Sequence, residues 1–391
     1  MLDVARARAE TPGCTQVIHF NNAGAALMPQ PVLAALHAYL DLEARLGGYE
    51  AADAQAEALE DFYRAAAQLL NAHPDEIAFT TSATRAFQLA AYAFDFRPGD
   101  RILTGLAEYG GQIIAYLQMA RRRGVEVVFV PNDAHGQLDL AALERRIDDR
   151  TRLIAVAHMP TGNGLVNPVH QVGRLARRYG IPFLLDATQS IGQVPLDVQA
   201  LGCDILVATG RKYLRGPRGT GLLYVRRALL EHLEPPMLDL HAATLTSPHT
   251  YMVRPDARRF ETWEQFSAGK VALGVAIRYA LGWGLEAIRE RVFALGEALR
   301  QRLRQIPGVR VTDVGVEQSG IVTFRVGSRS AAEIRDALRA QGIHVSVSTG
   351  SGSLVLFQAL GLQEVVRASV HYYNTEAEVE RFAAALQQLV G

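Results

Sequence analysis

Short apolar runs alternate with longer amphipathic stretches through the first half of the chain. The runs are rich in Val, Ile, Leu and Phe, as buried strands are, and the longer stretches repeat apolar residues at helical spacing. Strands are therefore predicted over 76–80, 100–104, 125–130, 153–157 and 181–185, and helices over 34–46, 51–70, 85–94, 112–123, 140–148 and 169–179. This alternation is typical of an α/β fold, in which helices cover both faces of a mostly parallel sheet.

The pattern changes after the apolar segment 221–225. A His-, Pro- and Thr-rich loop is predicted over 234–259, followed by a long helical stretch over 269–303 that is broken near 282–284. The remainder predicts strands over 309–313, 320–325, 344–347 and 366–372 and helices over 331–341 and 376–389. We therefore predict two domains: residues 1–268, an N-terminal segment with a large domain, and residues 269–391, a connecting helix with a small α+β domain.

Composition narrows the class of protein. The 391 residues are 49% hydrophobic and 20% charged, as in a globular chain. Forty basic residues balance forty acidic ones, so nothing in the charge favours a nucleic-acid partner. The N-terminus lacks the apolar core of a signal peptide, and no run approaches the roughly 20 apolar residues of a membrane span, so a cytoplasmic protein is expected. The two cysteines, Cys14 and Cys203, could in principle pair, but in a reducing compartment Cys203 is expected to serve packing.

Chemically distinctive side chains stand where the predicted strands end. Asp186 closes the run 181–185, Gln189 follows three residues later, and Lys212 comes after the apolar run 204–207. A lysine that forms a Schiff base and a carboxylate that keeps a pyridine nitrogen protonated are what an enzyme needs to use pyridoxal phosphate. The turn 81–84 opens a helix and could bind the cofactor phosphate, although Ser or Thr there also serves as a simple helix cap. Tyr109, after another strand, could stack on the pyridine ring.

Several motifs resemble the class V aminotransferase family of fold-type I pyridoxal-phosphate enzymes. They are Phe-Asn-Asn-Ala-Gly (20–24), Thr-Ser-Ala-Thr (81–84), Asp-Ala-Thr-Gln (186–189), Ala-Thr-Gly-Arg-Lys-Tyr-Leu-Arg-Gly-Pro-Arg-Gly (208–219), Arg-Phe-Glu (259–261) and Arg-Ala-Ser-Val-His-Tyr-Tyr-Asn-Thr-Glu (367–376). The family includes cysteine desulfurases, isopenicillin N epimerase-like proteins and the lyase of ergothioneine biosynthesis. The resemblance covers almost the whole chain and implies a seven-stranded-type sheet and a homodimer with active sites at the subunit interface.

The resemblance also implies roles for individual residues. It implies that Lys212 is the Schiff-base lysine, Asp186 the partner of the pyridinium and Gln189 the donor to the phenolic oxygen. Arg367 would bind the substrate α-carboxylate, for which a planar guanidinium is suited. Further cofactor contacts are implied at Ala83, Thr84, Tyr109, Thr161, Thr209 and Arg211, and substrate contacts at Ala23, Gly24, Asn163 and Trp263. Whether Thr161 or Asn163 faces the cofactor is left open.

Two differences from the desulfurase motifs indicate which branch of the family this chain resembles. Desulfurases carry a cysteine on a mobile loop shortly before the carboxylate-binding arginine, but residues 342–353 read Gly-Ile-His-Val-Ser-Val-Ser-Thr-Gly-Ser-Gly-Ser. After Arg-Phe-Glu, Trp263 and Glu264 replace the usual Gly-Thr, which places a bulky indole in the implied interface. These changes, and a tyrosine at 109 where desulfurases have histidine, resemble the ergothioneine-lyase and epimerase-like branch.

The expected activity follows from these parts. With a basic lysine freed beside the α-carbon, the first expectation is β-elimination from a cysteine-derived thioether or sulfoxide, that is, a C–S lyase. An aminotransferase is the next alternative, followed by an epimerase or a desulfurase that lacks the usual cysteine. A scaffold that keeps the fold without turnover is disfavoured because Lys212, Asp186 and Arg367 are all present.

Overall fold

The computed structural model describes residues 2–390. The first residue of the predicted large domain, Met1, and the last residue of the predicted small domain, Gly391, lie outside the described residues. Its centre is a seven-stranded sheet. In spatial order the strands are Ile77–Thr80, Gly221–Val225, Ile205–Thr209, Phe183–Asp186, Thr151–Ala157, Arg101–Thr104 and Glu126–Phe129. Only Gly221–Val225 runs antiparallel to its neighbours, so the prediction of a mostly parallel α/β sheet is confirmed.

Helices cover both faces of this sheet because its strands alternate their side chains between two apolar cores. Leu184 packs into one core, and its neighbours Phe183 and Leu185 pack into the other, as the period of two in a strand requires. The helices of this first part are Val4–Ala9, Gln30–Leu46, Gly48–Ala54, Ala56–Leu70, Ala83–Ala91, Gly110–Arg123, Leu140–Arg146, Val169–Tyr179, Val198–Leu201 and Arg227–Leu230. The single helix expected over 51–70 is thus two helices.

The second part begins with two helices, Ser267–Trp283 and Leu285–Arg304, which meet at an angle of 80°. Gly284 joins them at a φ of 82°, a left-handed conformation that favours glycine, so the predicted break is confirmed. No single helix within residues 2–390 is long and apolar enough to cross a membrane; this bent pair meets the criteria only when the two are taken together. Much of its first helix is buried within the protein.

A small antiparallel sheet completes the fold. Its strands, in order, are Val309–Val311, Ile321–Val326, Glu364–Ser369 and Ser346–Thr349, and its helices are Ala331–Ala340, Gly350–Leu360 and Glu376–Val390. Part of the predicted loop 234–259 is instead a hairpin of Ala243–Ser247 and Thr250–Val253. The Ser-rich segment 350–353 begins the helix Gly350–Leu360, whose backbone is non-helical at Ser353.

The N-terminal segment crosses to this small sheet. Ile18–His19 pairs in parallel with Ile343–His344, and the amide of Ser369 donates to the carbonyl of Phe20. The segment consequently delivers residues 21–24 to the place where the small sheet meets the large one.

Candidate active site

A cavity of about 240 Å³ opens at the carboxyl ends of the large sheet's strands, where ligands bind in folds of this type. The structure brings most of the residues singled out in the sequence to its wall. They are Ala23, Gly24, Ala83, Thr84, Tyr109, Thr161, Asp186, Gln189, Thr209, Arg211, Lys212 and Arg367. Ser82, Gln112, Met159, Pro160 and Thr188 also line it.

Lys212 lies three residues beyond the strand Ile205–Thr209 and is only 8% exposed. It has no ion-pair partner among the described residues. Burial, together with the positive charges of Arg367 and Arg211, lowers the pKa of Lys212 to about 7. A substantial fraction of this amine is therefore neutral near physiological pH, which is the form that attacks an aldehyde or accepts a proton.

Asp186 is the last residue of its strand, and two donors fix its carboxylate. The backbone N–H of Thr188 donates to Oδ1 at 2.8 Å, and the Gln112 Nε2 donates to Oδ2 at 2.6 Å. A carboxylate whose two oxygens are fixed in this way is suited to holding a protonated ring nitrogen.

The helix that starts at Ala83 offers two free backbone donors. The Ser82 hydroxyl accepts from the amide of Arg85, but the amides of Ala83 and Thr84 bond to no other described residue, and both residues line the cavity. Arg211 stands nearby, with Nη1 donating to Thr209 Oγ1 at 3.2 Å and a buried, unpartnered Nε. Free amides at a positive helix end beside a guanidinium form an anion site of the kind that binds phosphate.

Gly221 lets two strands approach closely beside this anion site. A methyl group on Gly221 would lie 2.6 Å from the Ala208 carbonyl oxygen and 3.0 Å from the backbone of Ser82. Glycine is thus required for the turn to sit against the neighbouring strand.

Arg367 is buried without a carboxylate partner. Its Nη1 donates to the backbone oxygen and the Oγ1 of Thr161, at 3.1 and 2.5 Å, and its Nε has no partner. Burial lowers its pKa to about 10, so the guanidinium stays charged at neutral pH. Gln189 Nε2 donates to Thr161 Oγ1 at 3.1 Å and to the Ala23 carbonyl at 3.0 Å, and its Oε1 is unpartnered. A buried charge without a counter-ion is costly, and a bound carboxylate would remove that cost.

Two residues named from the sequence lie outside the cavity of the single chain. Asn163 is buried, and its side-chain oxygen accepts from the amide of Leu165, so it is Thr161 that faces the cavity. Trp263 is 60% exposed, on the segment after the buried Glu261. In one chain, therefore, neither contacts the space that a substrate would occupy. Tyr109 lines the cavity but is 46% exposed.

Sequence reasoning missed two buried groups around Asp186. Gln112 lies one helical turn after Tyr109, and Glu108 immediately before it. Glu108 accepts from the amide of Ala157 at 3.0 Å, and burial together with the charge of Asp186 raises its pKa to about 8. Glu108 therefore stays largely neutral at physiological pH. The sequence signal for Glu108 is a Glu-Tyr pair four residues after the end of an apolar strand.

Neither cysteine belongs to the cavity. Cys203 is fully buried at the start of the strand that leads to Lys212, and that strand separates the two by roughly 15 Å. Cys14 lies half-buried in the N-terminal segment beside Arg8. Burial raises the pKa of both thiols. Neither is a reactive thiolate next to Lys212.

The residues present fit pyridoxal phosphate. The chain supplies an unpaired buried amine, a fixed carboxylate, an anion site and an unpaired guanidinium, all on one cavity. These groups match the aldehyde, ring nitrogen and phosphate of the cofactor and the α-carboxylate of an amino acid.

Comparison with known proteins agrees with this geometry. The model of the family "Aminotransferase class-V" matches residues 18–382. A probable cysteine desulfurase of Xylella fastidiosa is 32% identical, over 95% of this chain and 90% of its own length. The apo structure of a cysteine desulfurase from Thermococcus onnurineus NA1 superposes with a TM-score of 0.92 at 28% identity, covering 100% of this chain and 98% of its own.

A third similar protein has a different activity. The cystine C–S lyase C-DES, solved in complex with its reaction product cysteine persulfide, has a TM-score of 0.87 at 25% identity, covering 96% of this chain and 99% of its own. None of these three proteins is named as an ergothioneine lyase or an epimerase, the branch that the sequence motifs favoured. The family itself is shown by the match over most of the chain, and the protein is a pyridoxal-phosphate-dependent enzyme of fold type I that belongs to the class V aminotransferases.

Proposed function

We propose that this enzyme is a C–S lyase that eliminates a sulfur group from the β-carbon of a cysteine-derived amino acid. One observation carries the proposal: the cavity has a lysine and a carboxylate-binding arginine, and no cysteine among the described residues lines it. Without a thiol to accept sulfur, the sulfur would leave as a small molecule. The net reaction converts the substrate and one water into pyruvate, ammonium and the released thiol, sulfenic acid or persulfide.

In this proposal the chain's own groups bind the substrate and move the proton. Arg367 binds the α-carboxylate and orients the Cα–H bond, and Lys212 Nζ accepts the α-proton. Asp186, fixed by Gln112 and Thr188, holds the proton on the ring nitrogen. Pyridoxal phosphate, when bound, supplies the electron-withdrawing ring that makes this proton acidic.

A cysteine-derived thioether or sulfoxide is our first choice of substrate. We add disulfides such as cystine to the candidate substrates, because the similar enzyme C-DES is named as a cystine C–S lyase. We assign the chain to the lyases of the family rather than to the desulfurases that use a loop cysteine. The Ser-rich stretch 349–353, with the tyrosine at 109, supports this assignment.

Desulfuration is the second candidate, because relatives at about 30% identity carry that name. In this chain it would require an external thiol as the sulfur acceptor, since Cys14 and Cys203 lie away from the cavity.

We also propose that the enzyme is a homodimer. Large apolar side chains are exposed on one stretch of the chain, namely Met237, Leu240, Leu245, Tyr251, Met252 and Trp263. Packing against a second copy of the chain would remove this apolar surface from water. The molecular mass measured by sedimentation at micromolar concentration tests whether the protein is a dimer.

Product analysis separates the candidates. The holoenzyme is incubated in parallel with L-cysteine, L-cystine, S-methylcysteine and its sulfoxide, and pyruvate, ammonia and alanine are quantified separately. A lyase yields pyruvate and ammonia in equal amounts, whereas a desulfurase yields alanine. Transamination would give a keto acid without ammonia, and this result would contradict the proposal, as would alanine as the main product.

A double variant tests the absence of an enzyme persulfide. We expect the Cys14→Ser, Cys203→Ser protein to keep its activity on the native substrate, because neither thiol lines the cavity. Loss of activity in this variant, together with a persulfide adduct on the wild type during turnover, would contradict the proposal and indicate that the enzyme is a desulfurase.

A further inference from the structure

His371 is fully buried and packs against the residue that follows Lys212. It lies two residues beyond the end of the strand that carries Arg367. Its imidazole ring lies 5.2 Å from the ring of Tyr213, measured between centroids, and stacks on the ring of Tyr373 at 5.1 Å. Packing against these two aromatic rings fixes the orientation of the imidazole.

Both ring nitrogens of His371 have a backbone partner, and these partners define its tautomer. The backbone N–H of Tyr372 donates to Nδ1 at 2.9 Å, so Nδ1 carries no proton. Nε2 therefore carries the proton and donates to the carbonyl oxygen of Tyr213 at 3.1 Å. Burial lowers the pKa of His371 well below its ordinary value, which agrees with a neutral ring.

The Tyr213 carbonyl belongs to the turn that contains Lys212, residues 210–216, called the Lys212 turn below. Within the described part of the chain, the His371 ring is the one donor to this carbonyl. A methyl group on Gly192 would lie 2.6 Å from the same oxygen, so protein encloses it closely. Without the His371 donor the oxygen would be buried and unsatisfied, and we expect the turn to shift in response.

This hydrogen bond connects the two groups that must act on one substrate molecule. Arg367 lies four residues before His371, and Lys212 lies one residue before Tyr213. Arg367 and Lys212 both line the cavity. Proton transfer requires the amine to lie within hydrogen-bond reach of the Cα–H bond, and a misplacement of about 1 Å can cost roughly 100-fold in rate.

We propose that His371 is a positioning residue, whose Nε2–H fixes the Lys212 turn relative to the strand that carries Arg367. This inference rests on the proposed function, in which Lys212 accepts the α-proton of a substrate held by Arg367. His371 does not line the cavity, so it acts through the Tyr213 carbonyl. Its effect is therefore expected on proton transfer, and hence on kcat, more than on binding of the carboxylate.

Two amide variants separate the Nε2–H donor from the rest of the side chain. His371→Gln can place an N–H near the position of Nε2, whereas His371→Asn is one methylene shorter and cannot reach the Tyr213 carbonyl. For both we measure exchange of the α-proton of L-alanine in deuterated water by NMR, which needs no leaving group on the β-carbon. Exchange in His371→Asn is expected to be roughly 10- to 100-fold slower than in the wild type, and His371→Gln should retain most of the rate. The affinity for L-alanine, followed by the visible spectrum of the bound cofactor, should stay close to wild type in both.

Leu338→Ala controls for the loss of stability alone. Leu338 is fully buried on the helix Ala331–Ala340, which packs on the small sheet, and it does not line the cavity. Urea should unfold this variant more easily than the wild type, but its folded form should exchange the α-proton at the wild-type rate. Equal slowing in Leu338→Ala and His371→Asn would refute the positioning role.

Hydrogen–deuterium exchange of backbone amides gives a readout that needs no turnover. In the holoenzyme, the amides of the Lys212 turn should exchange roughly five- to tenfold faster in His371→Asn than in His371→Gln, the effect of losing one buried hydrogen bond. Equal exchange in the two variants would overturn the inference. If His371→Asn does not fold, His371→Leu, which adds no polar group, replaces it. Failure of both to fold would make His371 a structural residue and refute the positioning role.

The outcomes separate this inference from the proposed function. If the wild type exchanged the α-proton but released no pyruvate from any sulfur amino acid, the lyase proposal would fail, and the variants would still test His371. If the wild type exchanged no α-proton, the proton-accepting role of Lys212 would fail, and amide exchange would decide whether His371 holds the turn. A wild-type rate of α-proton exchange in folded His371→Asn would overturn the inference.

Discussion

The chain has only two lysines, and both are buried: Lys212 is 8% exposed and Lys270 is 7% exposed. Their surroundings differ. Lys270 Nζ lies 3.6 Å from Glu261 Oε2, donates to Gln265 Oε1 at 3.0 Å and bonds to the Tyr63 hydroxyl. Lys212 has no such partner and instead lies near the positive charges of Arg367 and Arg211.

The two lysines therefore differ in how the protein compensates for the desolvation of a buried ammonium group. Lys270 stays paired inside a network in which Glu261 also accepts from Tyr63 and from the amide of Phe79. Although burial opposes it, this network lowers the pKa of Glu261 to about 2, so the carboxylate remains ionised. Burial lowers the pKa of both lysines, but that of Lys212 falls to about 7, so a substantial fraction of its amine is neutral near physiological pH. One buried lysine is thus held in an ion-pair network, and the other is left unpaired and reactive.

Removal of Lys212 should have the largest effect. Lys212→Ala is expected to lower turnover by at least about 10³-fold, because the proton acceptor is lost, and to abolish the visible band of the lysine-bound cofactor. Circular dichroism should show an intact fold. An undiminished visible band would place the covalent attachment elsewhere.

Removal of Lys270 should act on stability instead. Lys270→Met leaves Glu261 buried without its cation, so unfolding in urea is expected to be easier by about 3–5 kcal/mol. The visible band of the cofactor should remain. A Lys270→Met, Glu261→Gln double variant is the control and should recover part of the loss. Normal stability of the single variant would show that the pair contributes nothing.

Arg367→Lys should weaken binding of the substrate carboxylate. A single ammonium cannot reproduce the planar fork that donates to Thr161 and leaves further N–H groups free, so KM should rise roughly 10- to 100-fold. The spectral titration with amino acids checks this directly. Unchanged affinity would make Arg367 a structural residue.

The smallest expected effect concerns pH, because the rate of cofactor binding should depend on the protonation of Lys212. Because the pKa of Lys212 is lowered to about 7, its neutral form dominates above that pH. The rate at which the apoprotein binds pyridoxal phosphate should rise from pH 6 and level off near pH 8. A rate that still climbs steeply between pH 9 and 10 would indicate an ordinary lysine.

Much of the large domain could be predicted because its strands are short apolar runs separated by amphipathic stretches, and two of these runs lead to residues with a chemical task. Asp186 closes one strand and Lys212 follows another, so local pattern alone brings them to the same sheet edge. The contact of Gln112 with Asp186 could not be read in the same way, because 74 residues separate the two and only the folded sheet joins them.

The helix Gly350–Leu360 illustrates a different limit of prediction from sequence. Gly, Ser and Thr at its start favour a loop by intrinsic preference, and the apolar residues that follow have no clear helical period. Packing of Leu356 and Phe357 against Ala107 and Leu165 overrides that preference. The exposed position of Trp263 likewise depends on the fold around it, and its predicted substrate contact requires a second chain.

Trapping of the cofactor on its lysine tests the central claim most directly. The holoenzyme is reduced with borohydride, digested and mapped by mass spectrometry, and with only two lysines in the chain the assignment is unambiguous. We predict a pyridoxyl adduct on Lys212 and an unmodified Lys270. An adduct on Lys270, or on the N-terminal amine alone, would contradict it.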